Sequence, residues 1–419
     1  YSEHNMKRVA TALAGIFLIA GCAIQNVRSG NLEKVAPESV GLSSSRLELA
    51  GRAMEEAIAD GTIPGGVLAV VRHGKIAWLE AYGNRSVVPQ TEPMTTETMF
   101  DLASCSKCVG TTLSFMQLVE QGKVRLTDNV SLYIPDFKPW TDPQTGEKVE
   151  ITVRDLLTHS SGIDPYLSVK NMTERFGGNC PDSLMRVIAT EAGRNFRPGT
   201  DFMYSCLNFV TLQNILQNVT GERLCDYAQE NIFDALALTH TCYFPLDGKP
   251  SCGQAGLLAE CCAPTEVQED GLPLVAAVHD PIARVLNSGN SGNAGVFSNA
   301  EDLCRIAACL LNGGAVDGKR ILSPATVRMM FTVPEENDPA VGRALGWDCS
   351  SSHSGLKGDL LSRDNSFMHT GYTGPSIVMD LDNDLAVIIL AHRVHPTDKG
   401  SVGRLRARIA NIVAGAITE

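Results

Sequence analysis

Hydrophobic positions near the start of the chain change from a helical spacing to a strand-like spacing. Over residues 43–59 the apolar side chains recur every three or four positions, which predicts an amphipathic helix. Two apolar runs follow, at 66–71 and 75–79, and they flank His73 and Gly74, a pair typical of a tight β-hairpin turn. A helix followed by a hairpin favours a sheet with a helix on one face.

The pattern near the other end of the chain is similar. Apolar runs at 376–381 and 385–390 predict a second hairpin, and a terminal helix is expected from about 402 to 416. Between about 125 and 310 the pattern predicts helices joined by long loops that contain Gly, Pro and Asp. We therefore expect an α+β fold, with an α/β sandwich lobe and an all-α lobe. Its antiparallel sheet would be built from both chain ends and flanked by the N- and C-terminal helices.

The first residues show a different pattern. Lys7 and Arg8 precede an apolar run, 9–20, that is too short to span a bilayer and is followed by Gly21 and Cys22. This arrangement describes a secretory signal, with a buried core helix as the alternative. A Cys directly after small residues resembles the lipobox of bacterial lipoproteins, which implies cleavage before Cys22 and lipid attachment to its sulfur.

From these features we expect an upstream extension and signal over residues 1–22, a polar tether over 23–40, and one folded domain over 41–419. Its α/β lobe is expected at about 41–98 and 320–419, and its helical lobe at about 99–319. The protein would be lipid-anchored in the bacterial cell envelope, periplasmic or surface-exposed, and would contact the membrane only through the anchor.

Composition narrows the classes of function. The formal net charge is −12 and there is no run rich in Lys or Arg, which argues against nucleic-acid binding. The chain has 13 cysteines, and in an oxidising compartment some could pair, although the sequence does not determine which. Cys105 and Cys108 form a C-x-x-C pair without a second pair at metal-ligand spacing, so we interpret them as small packing residues. No metal or organic cofactor is expected.

Residues 104–107 carry the strongest chemical signal, an S-x-x-K pattern at the start of a helix that continues to Gly122. Positions three apart share one helix face, so the Ser104 hydroxyl and the Lys107 amine can be neighbours. A serine becomes a nucleophile when an adjacent base takes its proton, and a buried lysine can help to supply that base. Ser106 points to another face. The motif by itself is short enough to occur by chance.

Two further elements occur in order after it. Residues 100–107 match F-x-x-x-S-x-x-K, residues 204–206 match Tyr-x-Asn only in part because Cys206 replaces Asn, and residues 369–371 read His-Thr-Gly. With these elements, roughly residues 41–415 resemble the serine β-lactamase-like family. That family includes penicillin-binding D,D-peptidases, class C β-lactamases and related carboxylesterases.

The resemblance implies a role for each matching residue. Ser104 would be the nucleophile, and Lys107 would lower the cost of removing its proton. Tyr204 would relay that proton, which requires a phenol pKa depressed by Lys107. His369 can titrate near neutral pH, which weakens a fixed cationic grip on a substrate carboxylate. The other implied groups are the backbone N–H donors of Ser104 and Tyr372 in the oxyanion hole, and substrate-binding Cys206, Thr370 and Gly371.

These roles lead to a functional expectation. The protein would form an acyl-enzyme on Ser104, most simply as a carboxylesterase acting on small esters, because Cys206 and His369 offer less precise recognition of amides. An acyltransferase that passes the acyl group to an alcohol acceptor is one alternative. A D,D-peptidase acting on cell-wall peptide, a weak β-lactamase, and a non-catalytic binding protein on the same fold are the others. His159 and His279 are interpreted as structural hydrogen-bonding residues.

Overall fold

The computed structural model describes residues 32–419. The predictions for residues 1–31, including lipid attachment at Cys22, lie outside the described residues. In chain order, the strands are β1 (Gly65–Arg72), β2 (Lys75–Ser86), β3 (Glu92–Pro93), β4 (Phe100–Asp101), β5 (Trp140–Thr141), β6 (Lys148–Val149), β7 (Cys242–Tyr243), β8 (Val296–Ser298), β9 (Ala315–Val316), β10 (Lys319–Arg320), β11 (Ser366–Thr370), β12 (Ser376–Asp380) and β13 (Leu385–Ala391). The α-helices are α1 (Ser44–Ala59), α2 (Leu113–Glu120), α3 (Val153–Leu157), α4 (Val169–Phe176), α5 (Pro181–Thr190), α6 (Cys206–Thr220), α7 (Leu224–Ala228), α8 (Ala255–Ala259), α9 (Ala300–Leu311), α10 (Pro324–Met330) and α11 (Gly403–Gly415).

Strands from both chain ends form one six-stranded sheet, in the order β11-β12-β13-β1-β2-β3. Every neighbouring pair in it is antiparallel. The β1–β2 hairpin turns at His73 and Gly74, whose φ angles of 50° and 70° suit the tight turn that the sequence predicted. The α+β prediction, with a sheet assembled from the two termini, is confirmed.

Strand β1 shows how the sheet separates two hydrophobic layers. Leu68 and Val70 pack in a cluster with α1 and α11, whereas Val67, Ala69 and Val71 belong to the larger core shared with the helical part. Successive side chains of a strand point to opposite faces, so a strand covered on both sides is apolar at every position. The continuous run at 66–71 follows from this position in the middle of the sheet.

The segment that follows Ser104 is less regular than the single helix that the sequence predicted. A 3₁₀ turn at Ala103–Cys105 leads into a π-helical stretch at Lys107–Thr112, and α-helical geometry begins only at Leu113. The wide turn packs tightly: Thr111 Oγ1 donates a hydrogen bond of 2.7 Å to Gly292 O. A Cβ atom at Gly110 would lie 2.6 Å from the hydroxyl of Tyr243. Such π-helical turns are frequent at functional sites.

Two predicted boundaries need correction. Residues 32–40, expected in a tether, are part of the folded body: Val35 N donates to Ile76 O over 3.0 Å, and Leu32 is buried in the core. Their polar composition concealed this pairing with β2. The helical lobe, expected to extend to about 319, ends earlier because α9 packs against β1 and β13. No helix within residues 32–419 combines the length and apolar character needed to cross a bilayer.

Candidate active site

A sharp backbone bend presents Ser104. Ala103, directly before it, has a φ of 45°, a left-handed conformation that is uncommon for a residue with a side chain. The Asp101 carboxylate stabilises the bend, since its Oδ1 accepts the Ala103 N–H at 2.8 Å and its Oδ2 accepts the His279 N–H at 2.7 Å. The bend turns the chain out of β4 and into the 3₁₀ turn, so Ser104 faces two cavities.

Lys107 is fully buried and points its amine at the serine. Its Nζ lies 3.0 Å from Ser104 Oγ, 2.8 Å from Asn293 O and 3.6 Å from Cys206 Sγ. An ammonium has three N–H groups, so these three acceptors match its charged form. Burial works to lower the pKa of Lys107, but the adjacent Cys206 and Tyr204 outweigh it, and the pKa is raised above that of an ordinary lysine.

Tyr204, which the sequence predicted to relay the proton of Ser104, lies beside Lys107. Lys107 Nζ lies 5.0 Å from the centre of the Tyr204 ring, and the buried Tyr204 hydroxyl has no hydrogen-bond partner among residues 32–419. Burial raises the pKa of Tyr204 and outweighs the opposing effect of Lys107. This direction is opposite to the depressed phenol pKa that the sequence predicted. At neutral pH the resting site therefore holds a charged Lys107 and a neutral Tyr204.

His159 contributes to the position of Tyr204. The centres of the two rings are 4.3 Å apart, and His159 Nδ1 accepts the Ser205 N–H at 3.1 Å. Its contacts are those of the structural hydrogen-bonding residue that we predicted. His279 also makes a structural contact, since its Nε2 lies 3.0 Å from a Glu266 carboxylate oxygen.

His369 lies on β11 and lines the same cavity as Ser104. Its Nδ1 is 3.0 Å from Thr370 O, which places the proton on Nδ1, and its buried Nε2 has no partner within the described part of the chain. Burial, reinforced by Arg343 and Lys107, holds the pKa of His369 well below its usual range. His369 is thus neutral throughout the physiological pH range. The sequence had predicted a residue that titrates near neutral pH.

The turn after His369 carries the second predicted oxyanion donor. Neither the Tyr372 N–H nor the Ser104 N–H donates a hydrogen bond to any of residues 32–419, so both are free to bind an oxyanion. A Cβ at Gly371 would lie 2.4 Å from Leu102 O, so only glycine permits this close approach to the nucleophile segment. Arg406 on α11 stabilises the turn, because its Nη2 donates to Gly371 O, Gly374 O and Pro375 O at 2.8, 2.8 and 2.9 Å.

Two cavities of different character meet at Ser104 and Tyr204. The first, of about 320 Å³, is the basic cavity, and it is lined by the polar and apolar side chains of Arg343, His353, Leu356, Met368, His369, Thr370, Arg393 and Arg406 among others. The second, of about 370 Å³, is the aromatic cavity, and it is lined by Tyr166, Cys206, His279, Asp280, Tyr372 and Asp398 among others. Thr370 and Gly371, predicted to bind substrate, border the basic cavity, whereas Cys206 borders the aromatic one.

Arg343 is the most informative residue that the sequence did not single out. It is only 2% exposed and pairs with the equally buried Asp348 at 3.1 Å. Its Nε and one Nη have no partner within residues 32–419, although a buried guanidinium normally satisfies its N–H groups. Arg343, which lines the basic cavity, therefore has two donor nitrogens without acceptors among residues 32–419. In the sequence, the pattern Leu-Gly-Trp at 345–347 begins two residues after Arg343.

The remaining predictions concern metals and thiols. Over residues 32–419, no three His, Cys, Asp or Glu side chains are grouped in a way that could hold a metal ion. Cys105 and Cys108 are fully buried in the core, as packing residues would be. All cysteines from 105 onwards carry free thiols, and burial raises the pKa of Cys206 against the opposing effect of Lys107.

Comparison with known proteins agrees with this geometry. A family model described as Beta-lactamase matches residues 50–411. The chain is 31% identical over 392 residues to an N-acetylmuramyl-L-alanine amidase of Bacillus subtilis (strain 168), covering 88% of this chain and 86% of that protein. It is 28% identical over 412 residues to a putative D-alanyl-D-alanine carboxypeptidase of Escherichia coli (strain K12), covering 93% and 92%.

Solved structures show the same fold. EstCE1, described as a hydrolase with promiscuous acyltransferase activity, superposes with a TM-score of 0.69 at 23% identity, covering 88% of this chain and 99% of that one. Simvastatin synthase (LovD) from Aspergillus terreus superposes with a TM-score of 0.66 at 20% identity, covering 89% and 99%. At these identities the likeness shows the fold alone. From the matched family model and the full-length relatives, we conclude that the chain belongs to the beta-lactamase family and is a serine hydrolase of that family.

Proposed function

We propose that the protein is an exported carboxylesterase that acts on small esters through an acyl-enzyme on Ser104. The observation that carries this proposal is the 3.0 Å contact between Lys107 Nζ and Ser104 Oγ, beside the unpartnered hydroxyl of Tyr204. A nucleophile in contact with a proton-transfer group, next to two free backbone donors, is the arrangement that acyl transfer requires.

The reaction follows from these contacts. Ser104 Oγ attacks the ester carbonyl, and its proton passes to the Lys107–Tyr204 pair once that pair has lost one proton. The carbonyl oxygen becomes an oxyanion that the Ser104 and Tyr372 N–H groups stabilise. When the tetrahedral intermediate collapses, the pair returns the proton to the alkoxide, which leaves as an alcohol. A water molecule then attacks the acyl-enzyme by the same steps and releases the carboxylic acid.

Two features favour esters over amides. Cys206 supplies a weak S–H donor where many relatives of this family have an Asn amide, so an acyl amide would lose a hydrogen-bonding partner. His369 is held neutral, so it offers no fixed charge on the strand beside the substrate. Ester cleavage depends less on such recognition because an alkoxide departs more readily than an amine anion. Transfer to an alcohol acceptor remains the variant of this proposal in which an alcohol replaces water.

A parallel assay tests the proposal. A short-chain nitrophenyl ester, a chromogenic cephalosporin and a D-Ala-D-Ala peptide are given to the wild type and to Ser104→Ala, and an alcohol is added to the ester reaction. We expect the ester to be cleaved with the highest kcat/KM, and the alcohol to yield a new ester if transfer occurs. Faster turnover of the cephalosporin would contradict the argument from Cys206. No adduct on Ser104 with any acyl donor, measured by intact mass, would reject an acyl-enzyme.

The pKa directions predict the pH profile of the esterase. Lys107 and Tyr204 both have raised pKa values, so the form that has lost one proton is scarce at neutral pH and increases as the pH rises. We expect log kcat/KM for a nitrophenyl ester to rise with a slope near one from pH 7 into the alkaline range. His369 and His159 have depressed pKa values and add no inflection near pH 6.5. A bell-shaped profile with an acid limb near pH 6.5 would contradict this.

A D,D-peptidase is the second candidate, and Arg343 favours it. Arg343 lines the basic cavity, and two of its nitrogens lack an acceptor within residues 32–419. These nitrogens suit a carboxylate such as the C-terminus of a D-Ala-D-Ala peptide. If the protein is a D,D-peptidase, the peptide with a free C-terminal carboxylate should be cleaved faster than the same peptide with a C-terminal carboxamide. Arg343→Gln should reduce that preference by roughly tenfold or more. Arg343→Lys, which keeps the charge beside Asp348, should retain part of it. Equal rates for acid and carboxamide in the wild type would count against the peptidase.

Export and anchoring form a separate part of the proposal. It rests on the lipobox-like residues that end at Cys22. In a bacterial host, the wild-type chain should partition with membranes, whereas Cys22→Ser should be found in the soluble fraction. Cys180→Ser is the control, because it removes a half-buried thiol elsewhere. Equal partitioning of the wild type and Cys22→Ser would contradict lipid anchoring at Cys22 and leave the esterase proposal unaffected.

A further inference from the structure

The aromatic cavity combines features that the esterase chemistry does not use. It is lined mainly by apolar surface, and three of its residues, Tyr166, Tyr204 and Tyr372, contribute aromatic rings. Tyr166 and Tyr372 are 39% and 56% exposed at its mouth, whereas Tyr204 is buried and its hydroxyl has no partner among residues 32–419. Asp280 lines the same cavity. Neutral ester chemistry at Ser104 needs no carboxylate there.

The Asp280 carboxylate accepts hydrogen bonds but is in no ion pair with any of residues 32–419. Its Oδ1 accepts the Ala283 N–H at 2.9 Å and its Oδ2 accepts the Tyr166 hydroxyl at 3.3 Å. None of the ion pairs formed within residues 32–419 includes Asp280, and the nearby Arg284 instead donates to Val278 O and His279 O. Burial and then the Asp280 charge raise the pKa of the Tyr166 phenol, so the carboxylate acts on the cavity wall.

The other carboxylate in this cavity is neutralised. Asp398 forms an ion pair with Arg393 at 2.6 Å and accepts the Tyr372 hydroxyl. The guanidinium of Arg393 also lies 4.4 Å from the centre of the Tyr372 ring. The aromatic cavity therefore contains one carboxylate in an ion pair and one, Asp280, that is in no ion pair within residues 32–419, although its charge acts on the pKa values of Arg284 and Lys107.

A carboxylate among aromatic rings suits an organic ammonium, because the ring faces and the carboxylate both attract a cation. The methyl or methylene groups of such a cation also suit the apolar walls of the cavity. The acyl part of the substrate is assigned to this cavity because Cys206, which the family resemblance predicts to bind substrate, borders it together with Ser104. We propose that the aromatic cavity is a subsite for an ammonium group carried by the acyl part of the substrate, with Asp280 as its anionic contact. This inference rests on the proposed esterase function.

The test uses two nitrophenyl esters of the same size. One carries a trimethylammonium group at the end of a butanoyl chain, and the other carries a neutral tert-butyl group in its place. We expect kcat/KM for the cationic ester to exceed that for the neutral ester by roughly tenfold or more in the wild type. Asp280→Asn keeps an oxygen for the Ala283 N–H but removes the charge, so it should bring the ratio close to one. Asp280→Glu should retain part of the preference.

Glu335→Gln provides the matched control, because it removes one negative charge from an exposed position. It should leave the ratio unchanged. If Asp280→Asn does not fold, the salt dependence of the wild type decides, since the preference should decrease between low and high ionic strength while turnover of the neutral ester does not. Equal rates for both esters in the wild type would overturn the subsite and leave the esterase intact. No hydrolysis of either ester would instead reject the esterase.

Discussion

Ser104→Ala is expected to lower kcat/KM for a nitrophenyl ester by roughly 10⁴-fold or more, because it removes the atom that bonds to the acyl group. The free energy of unfolding should change little. Ser104 is half-buried at the cavities, and its hydroxyl accepts one hydrogen bond, from Lys107, which keeps its contact with Asn293 O. Steady-state kinetics measure kcat/KM, and urea unfolding measures the free energy of unfolding. Intact mass after exposure to an acyl donor shows whether an acyl group is attached to the protein.

Ser106→Ala is the matched control, two positions away in the same motif. Ser106 is fully buried, and its Oγ accepts the Val296 N–H at 3.0 Å. The variant would leave that N–H unsatisfied and should lose about 1–3 kcal/mol of unfolding free energy while the folded protein keeps its esterase activity. Loss of activity in Ser106→Ala, with activity retained in Ser104→Ala, would reverse the assignment of the nucleophile.

Tyr204→Phe is expected to lower kcat/KM by roughly 10²- to 10⁴-fold, the usual contribution of a proton-transfer group. Its effect on stability should be neutral or favourable, by up to about 1 kcal/mol, because the buried hydroxyl of Tyr204 has no hydrogen-bond partner among the described residues. Active sites commonly trade stability for function in this way. The packing of the ring against His159 is retained.

The activity and the stability of Tyr204→Phe together distinguish a role in proton transfer from a role in packing. Tyr227→Phe is the comparison, since the Tyr227 hydroxyl lies 3.5 Å from Gln121 Nε2 and Tyr227 lines neither cavity at Ser104. It should leave kcat/KM within about twofold of the wild type, since it changes neither proton transfer nor the oxyanion donors. If Tyr204→Phe lost stability and kept its activity, Tyr204 would be a packing residue and Lys107 alone would transfer the proton.

Local patterns predicted most of the fold. The two hairpins could be predicted because each has an apolar run on both sides of a short polar turn, and the order of elements placed them at opposite ends of the chain. Pairing of β1 with β13, across more than three hundred residues, was not predicted strand by strand, because the β-elements at both chain ends indicated only that they share one sheet. The tether predicted over 23–40 was wrong for residues 32–40, because polar composition does not reveal that Val35 pairs with β2.

The sequence by itself determined the fold class and the ordered motifs that contain Ser104, Lys107, Tyr204 and His369, because these depend on residue identity and short-range spacing. Only the tertiary structure decided the electrostatics of the site. Burial makes the pKa of Tyr204 rise and that of His369 fall, and burial results from packing between distant segments. Within residues 32–419, the Arg343 nitrogens without acceptors and the Asp280 carboxylate, which is in no ion pair, are tertiary features for the same reason. A side chain lacks a partner only relative to everything folded around it.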